Sequence, residues 1–220
     1  HTAVWTGQKM IVWGGRSASG YLLDGARYDP AADRWQTLPR PNVPVPQGSA
    51  VWTGSEMIIW GIGVGAAFNP STNTWRSLSS IQAPSARYGH SATWTGEEMI
   101  VWGGQISGAP EFKDGARYNP RTDRWVALPT SQIPQPKSGH SAVWTGDRMI
   151  VWGGETADSL GAFVTNEGFE YDIGTNFWRQ ISGAGAPLPR AGHSAVWTGL
   201  GMIVWGGFGN SGYLKTGAVY

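Results

Sequence analysis

The stretch HSAVWTGDRMIVWGG, from His140 to Gly154, decides the fold because the chain writes it five times. It stands as HTAVWTGQKMIVWGG at His1 to Gly15, SAVWTGSEMIIWG at Ser49 to Gly61, HSATWTGEEMIVWGG at His90 to Gly104 and HSAVWTGLGMIVWGG at His193 to Gly207. A second phrase follows each copy: GARYDP, GAAFNP, GARYNP, GFEYDI and a final GAVY. A third, DRWQTL, NTWRSL, DRWVAL or NFWRQI, follows the first four. All 14 tryptophans fall at these positions. Trp5, Trp52, Trp94, Trp144 and Trp197 make one set; Trp13, Trp60, Trp102, Trp152 and Trp205 a second; Trp35, Trp75, Trp125 and Trp178 a third. A period of 40 to 50 residues is that of a stacked or radial repeat.

Each unit reads as four strands. The residues up to Trp-Thr-Gly are rich in Val, Thr and Trp, and Met-Ile-Val-Trp is apolar throughout, as suits strands covered on both faces. Thr-Gly between them is a tight hairpin turn. Arg-Tyr-Asp-Pro gives a third strand ended by Pro, and Asp turns the chain by hydrogen-bonding its own backbone. The third-set Trp opens a fourth strand. No window carries the 3.6-residue apolar period of a helix. The expected fold is all-β: one domain over 1–220, with units at about 1–46, 47–84, 85–134, 135–187 and 188–220. Four-stranded sheets at this period form a propeller, each burying its faces against its neighbours. A buried indole removes roughly 150–250 Å² from water, about 4–6 kcal/mol as an upper bound.

Composition narrows the function. Lys plus Arg total 16 against 15 Asp plus Glu, so the basic excess of a general nucleic-acid binder is missing. With no Cys, no disulfide, thiolate metal site or thiol nucleophile can form. No apolar run has the roughly 18 residues of a membrane span, so no membrane insertion is expected. No G-x-S-x-G, HExxH or P-loop is present, and no cofactor is expected. The chain opens at His1 inside the repeated phrase, which reads as a processed or excised piece. Low charge, no Cys and abundant Trp, Gly and Thr point to an extracytoplasmic or secreted setting.

Gly-Gly after the second strand, Tyr in the third and Trp opening the fourth resemble the Kelch repeat over essentially the whole chain. Unit two departs from it, with Gly61-Ile62 in place of Gly-Gly, Phe68 in place of Tyr, and no His before its first strand. The resemblance implies a propeller with the first strand of each unit innermost and the fourth outermost. It predicts five blades whose last lacks its outer strand, an edge open to pairing or oligomerisation; the alternative is a fragment of a six- or seven-bladed propeller. Galactose oxidase has a Kelch-like propeller with copper and a Cys–Tyr crosslink, which this Cys-free chain cannot build. The Glu-x-x-x-Asp-x-x-x-His iron motif of nitrile-specifying Kelch proteins is also missing.

Loops between second and third strands vary in length, as do the connections between units, such as the Pro-rich Pro39 to Pro46. Strand alternation puts both variable sets on one face, the expected ligand face. Arg87, Lys137 and Arg190 recur just before inner strands. By resemblance to arginines that bind acidic peptides in some Kelch domains, they are candidate anion contacts. Tyr21, Phe112, Phe163 and Tyr213, with Tyr88 and Phe208, are loop aromatics suited to a protein or a sugar ring. His90, His140 and His193 share one repeat position. A metal site there is the weaker alternative, because equivalent positions lie on a circle, whereas a Zn–N bond spans only about 2 Å. The expected function is a non-catalytic scaffold presenting its loop face to a protein or glycan. The alternatives are an enzyme or sugar-binding module at the channel mouth, or a structural blade array within a larger secreted protein.

Overall fold

A computed structural model describes residues 1–45, 48–131, 134–135, 137–159 and 161–220. Pro46, which closes the Pro-rich connection and the first unit, lies outside the described residues. The first blade comprises β1 (Thr2–Trp5) and β2 (Met10–Trp13), a small hairpin of β3 (Arg16–Ser17) and β4 (Gly20–Tyr21), then β5 (Gly25–Asp29) and β6 (Arg34–Thr37). The second has β7 (Ser49–Trp52), β8 (Met57–Gly61), β9 (Val64–Asn69) and β10 (Thr74–Ser77); the third has β11 (Ser91–Trp94), β12 (Met99–Trp102), β13 (Gly115–Asn119) and β14 (Arg124–Ala127). The fourth runs β15 (Ser141–Trp144), β16 (Arg148–Trp152), a hairpin of β17 (Glu155–Asp158) and β18 (Gly161–Val164), β19 (Gly168–Asp172) and β20 (Phe177–Gln180). The fifth holds β21 (Ser194–Trp197), β22 (Met202–Trp205), a hairpin of β23 (Phe208–Gly209) and β24 (Gly212–Tyr213), and β25 (Gly217–Val219).

Blades 1 to 4 are four-stranded antiparallel sheets with consecutive blade strands adjacent, and blade 5 has three strands. One register recurs, with Val143 opposite Ile150 and Trp144 opposite Met149 in blade 4, as Val4 faces Ile11 and Trp5 faces Met10 in blade 1. The inner strands pack in the order β1, β7, β11, β15, β21. The architecture is the five-bladed propeller that the repeat predicts.

The turns show why each repeat residue is what it is. In Thr-Gly-Glu-Glu the hydroxyl of Thr95 accepts the backbone N–H of Glu98 at 2.9 Å, and Thr6 does the same for Lys9. Between third and fourth strands, Asn119 Oδ1 accepts the N–H of Arg121 at 3.0 Å. Asp123 there adopts φ 53° and accepts the Tyr118 hydroxyl at 2.6 Å. Tyr28 with Asp33 and Tyr171 with Asn176 repeat that latch. Phe68 cannot make it.

Each adjacent pair of blades encloses its own apolar core. The second-set Trp of one blade meets the third-set Trp of the next: Trp13 with Trp75 at 4.7 Å, Trp60 with Trp125 at 4.8 Å and Trp102 with Trp178 at 5.5 Å between ring centroids. Such tilted and edge-on pairs suit the quadrupole of the rings.

Two features go beyond the sequence reading. Three of the long second-to-third loops fold into hairpins of their own rather than open loops. In unit two the loop shrinks to the Ile62–Gly63 turn, with φ 53° and 76°; two successive positive φ values are those of a type I′ hairpin turn.

Candidate functional site

The two variable sets of segments meet at one end of the blades. Backbone bridges join Tyr88 to Gln105, Ser138 to Glu155 and Ala191 to Phe208, in each case the approach to an inner strand with the start of that blade's long loop. Around the axis, the N–H of Gly139 donates to the carbonyl of Gly89 at 2.9 Å, and that of Gly192 to the carbonyl of Gly139 at 2.8 Å. The hairpins β3–β4, β17–β18 and β23–β24 spring from the same end.

Arg87, Lys137 and Arg190 are buried, and their donors serve the chain itself. Arg87 Nη1 donates to the carbonyls of Gly103 and Asp114, both at 3.1 Å, and to Asp114 Oδ1 at 2.9 Å; its Nε bonds Ser85 O at 2.9 Å. Arg190 repeats this, with Nη1 on Gly206 O at 3.0 Å and Thr216 O at 2.6 Å, and Nε on Leu188 O. In both cases the guanidinium ties together the two ends of the loop, at the neck where Gly103 N–H meets Asp114 O and Gly206 N–H meets Thr216 O. Lys137 stands in the same place with a point charge, 3.4 Å from Glu167 Oε2. Burial presses its ammonium below the ordinary lysine value, against the pull of Glu167. A planar fork can hold two carbonyls and a carboxylate at once. Of the three cations expected as contacts for an anion, Arg87 and Arg190 thus clamp both ends of a loop neck, while Lys137 reaches only the Glu167 end of its own. The sequence signal for that role is the acid before the third-strand glycine, Asp114 before Gly115 and Glu167 before Gly168.

The aromatics separate into two groups. Phe112 lies beneath Arg87, 4.1 Å from the guanidinium carbon to the ring centroid, so it supports the clamp. Tyr21, Phe163 and Tyr213 sit on the three hairpins and are exposed, Tyr213 by 94%. Phe208 pairs across β23–β24 with Tyr213, and Tyr88 is half-buried.

The histidines form a belt between blades. His140 Nε2 is 2.9 Å from Ser91 Oγ of the preceding blade, and His193 Nε2 is 2.8 Å from Ser141 Oγ. His90 Nε2 instead donates to the Trp60 carbonyl at 3.0 Å. The Gly-Gly pair makes room for them. A Cβ on Gly103 would lie 2.7 Å from the His140 ring, and one on Gly104 would lie 2.8 Å from the Tyr88 carbonyl oxygen. Burial holds all three imidazoles neutral, pushing His90 and His193 down to about 4 and His140 to about 3. Each Nε2 is thus engaged with a neighbouring blade. Among the described residues no three His, Cys, Asp or Glu side chains are grouped to hold a metal.

A family model for the KLHDC2/KLHL20/DRC7 Kelch-repeats domain matches residues 65–220. The chain belongs to the Kelch-repeat family. Comparison with curated proteins returns no match. In this Kelch domain the family's Gly-Gly pair has a visible task, admitting the belt histidines, and its Tyr latches the outer turn.

Proposed function

We propose that this Kelch domain is a non-catalytic binding scaffold whose hairpin-bearing face meets a protein or glycan. The reading is carried by one observation: Tyr21, Phe163 and Tyr213 lie outside the repeat positions, on separate hairpins, with their rings open to solvent. Core packing does not require them there, and exposed aromatics on preformed loops suit recognition. Kelch propellers commonly act as protein-binding scaffolds, which favours a protein over a glycan. The clamps at Arg87 and Arg190, with Lys137 at the Glu167 end of its own loop neck, support the face by fixing the loop necks, so the cationic part of the site works from beneath it.

The test is the triple variant Tyr21→Ser, Phe163→Ser, Tyr213→Ser, compared with the parent for capture of ligand from its native source and on a glycan array. Loss of capture with an unchanged melting temperature supports the reading. Retained capture refutes it.

A further inference from the structure

Between blades 1 and 2 the repeat forms an imidazole seat for which its sequence supplies no histidine. Two neighbouring copies define the seat. His140 stands edge-on to Trp102 with centroids 5.0 Å apart, and His193 stands likewise to Trp152 at 5.1 Å. Each ring points Nε2 at the serine that opens the preceding inner strand, Ser91 or Ser141. Blade 1 offers the corresponding pair, Trp13 and Thr2, to whatever occupies that register in blade 2. The occupant there is Gly48. A Cβ on Gly48 would collide with the Trp60 carbonyl oxygen, so the local backbone cannot supply a side chain of its own.

A cavity of about 190 Å³ lies at this place, lined by residues including Thr2, Trp13, Gly48, Ser49, Tyr88 and His90. The break in the sequence pattern and the hole in the structure coincide. The lining includes an indole, three hydroxyls and the two imidazoles of His1 and His90, and among the described residues no Asp, Glu, Lys or Arg side chain. An ammonium or guanidinium would find no carboxylate there and would lose solvation. A purely aliphatic group would cover hydroxyls without bonding them. The volume exceeds that of one five-membered ring, leaving space for the Cβ and main chain that carry it.

We infer that this cavity receives the neutral imidazole of a histidine presented by a protein ligand, completing the belt of rings from outside. The inference rests on the scaffold reading above for its protein ligand, but the seat can be probed without one. Imidazole, then the tripeptides Gly-His-Gly and Gly-Phe-Gly, are titrated at about pH 8, where the ring is neutral. Amide and indole resonances of Thr2, Trp13 and His90 are followed by NMR. Saturable shifts confined to these residues with imidazole and Gly-His-Gly, and none with Gly-Phe-Gly, support the seat. Thr2→Val should weaken them about tenfold, as loss of one hydrogen bond does. Non-saturating or scattered shifts, equal response to Gly-Phe-Gly, preferential response to glucose, or no change in Thr2→Val would each overturn it. As a second measurement, His193→Gly copies the seat between blades 4 and 5, where Ser141 and Trp152 take the places of Thr2 and Trp13. If imidazole raises the melting temperature of that variant while the parent shows no response at Thr2, the inference fails. Retained ligand capture in the aromatic triple variant would refute the scaffold reading while leaving these titrations unchanged, so the two failures are distinguishable.

Discussion

Trp60 and Trp102 are fully buried, whereas Trp205, at the same repeat position in blade 5, is 60% exposed. Trp125 and Trp178 are buried in the third set, but Trp35 of blade 1 is 53% exposed. Ile100 is inaccessible and Ile203 is not. The sequence phrases are nearly identical, so composition does not explain the contrast. Blades 2 to 4 have a neighbour on each flank. Blades 1 and 5 each keep one flank uncovered, because β21 and β1 are not packed together as the other inner strands are. Burial in this fold is conferred by the adjoining blade, as expected where stability is a sum of nearest-neighbour interfaces.

The largest effect expected is on the belt between blades. An unfolded histidine takes up its proton near pH 6.5, whereas His90 in the folded chain stays neutral down to about 4. The unfolded state therefore binds more protons between these values, and stability falls as pH is lowered through that window. His90 alone accounts for about 3 kcal/mol, and His140 and His193 act in the same direction. Urea midpoints measured from about pH 8 to pH 4 should decline steeply below 6.5, and the decline should flatten in His90→Gln. A flat profile in the parent would mean that the belt is not buried.

Next comes the contrast between indoles. Trp102→Ala should cost about 3–5 kcal/mol because it empties a site packed against Trp178 and His140. Trp205→Ala should cost under about 1 kcal/mol. Equal losses in urea unfolding would break the central-versus-flank comparison.

The loop clamp is smaller. Arg87→Met should cost about 2 kcal/mol, leaving the Gly103 carbonyl without the Arg87 donor and the Asp114 carbonyl with the Gly103 N–H alone; Asp114 is half exposed and regains water. Faster hydrogen exchange at the Gly103 amide would locate the effect at the neck. Tyr118→Phe, which removes the latch to Asp123, should cost about 1 kcal/mol by the same unfolding assay. Unit two already lives without that bond at Phe68.

Fold and site were unequally legible in the sequence. The eight-residue Trp spacing, Thr-Gly turns and Asn/Asp-Pro turns each impose a local geometry, and five repetitions left few ways to arrange them. The direction of Arg87 and Arg190 was not written locally. Their partners, Gly103, Asp114, Gly206 and Thr216, lie 16 to 27 residues away, and a cation before a strand reads the same whether it turns outward or in. The hairpins β3–β4, β17–β18 and β23–β24 escaped notice because two- to four-residue strands carry too little alternation to stand out. The empty seat at Gly48 was visible as a missing histidine. Its size and lining depended on which blades meet there.

The uneven covering of the indoles turns the chain into its own optical gauge. Trp5, Trp35 and Trp205 are each more than half exposed while Trp13, Trp60 and Trp102 are shut away, so an aqueous quencher such as iodide should extinguish a red-edge part of the emission and spare the blue. Any surface that comes to lie over either open flank would erase that accessible fraction, reporting its arrival without an added dye.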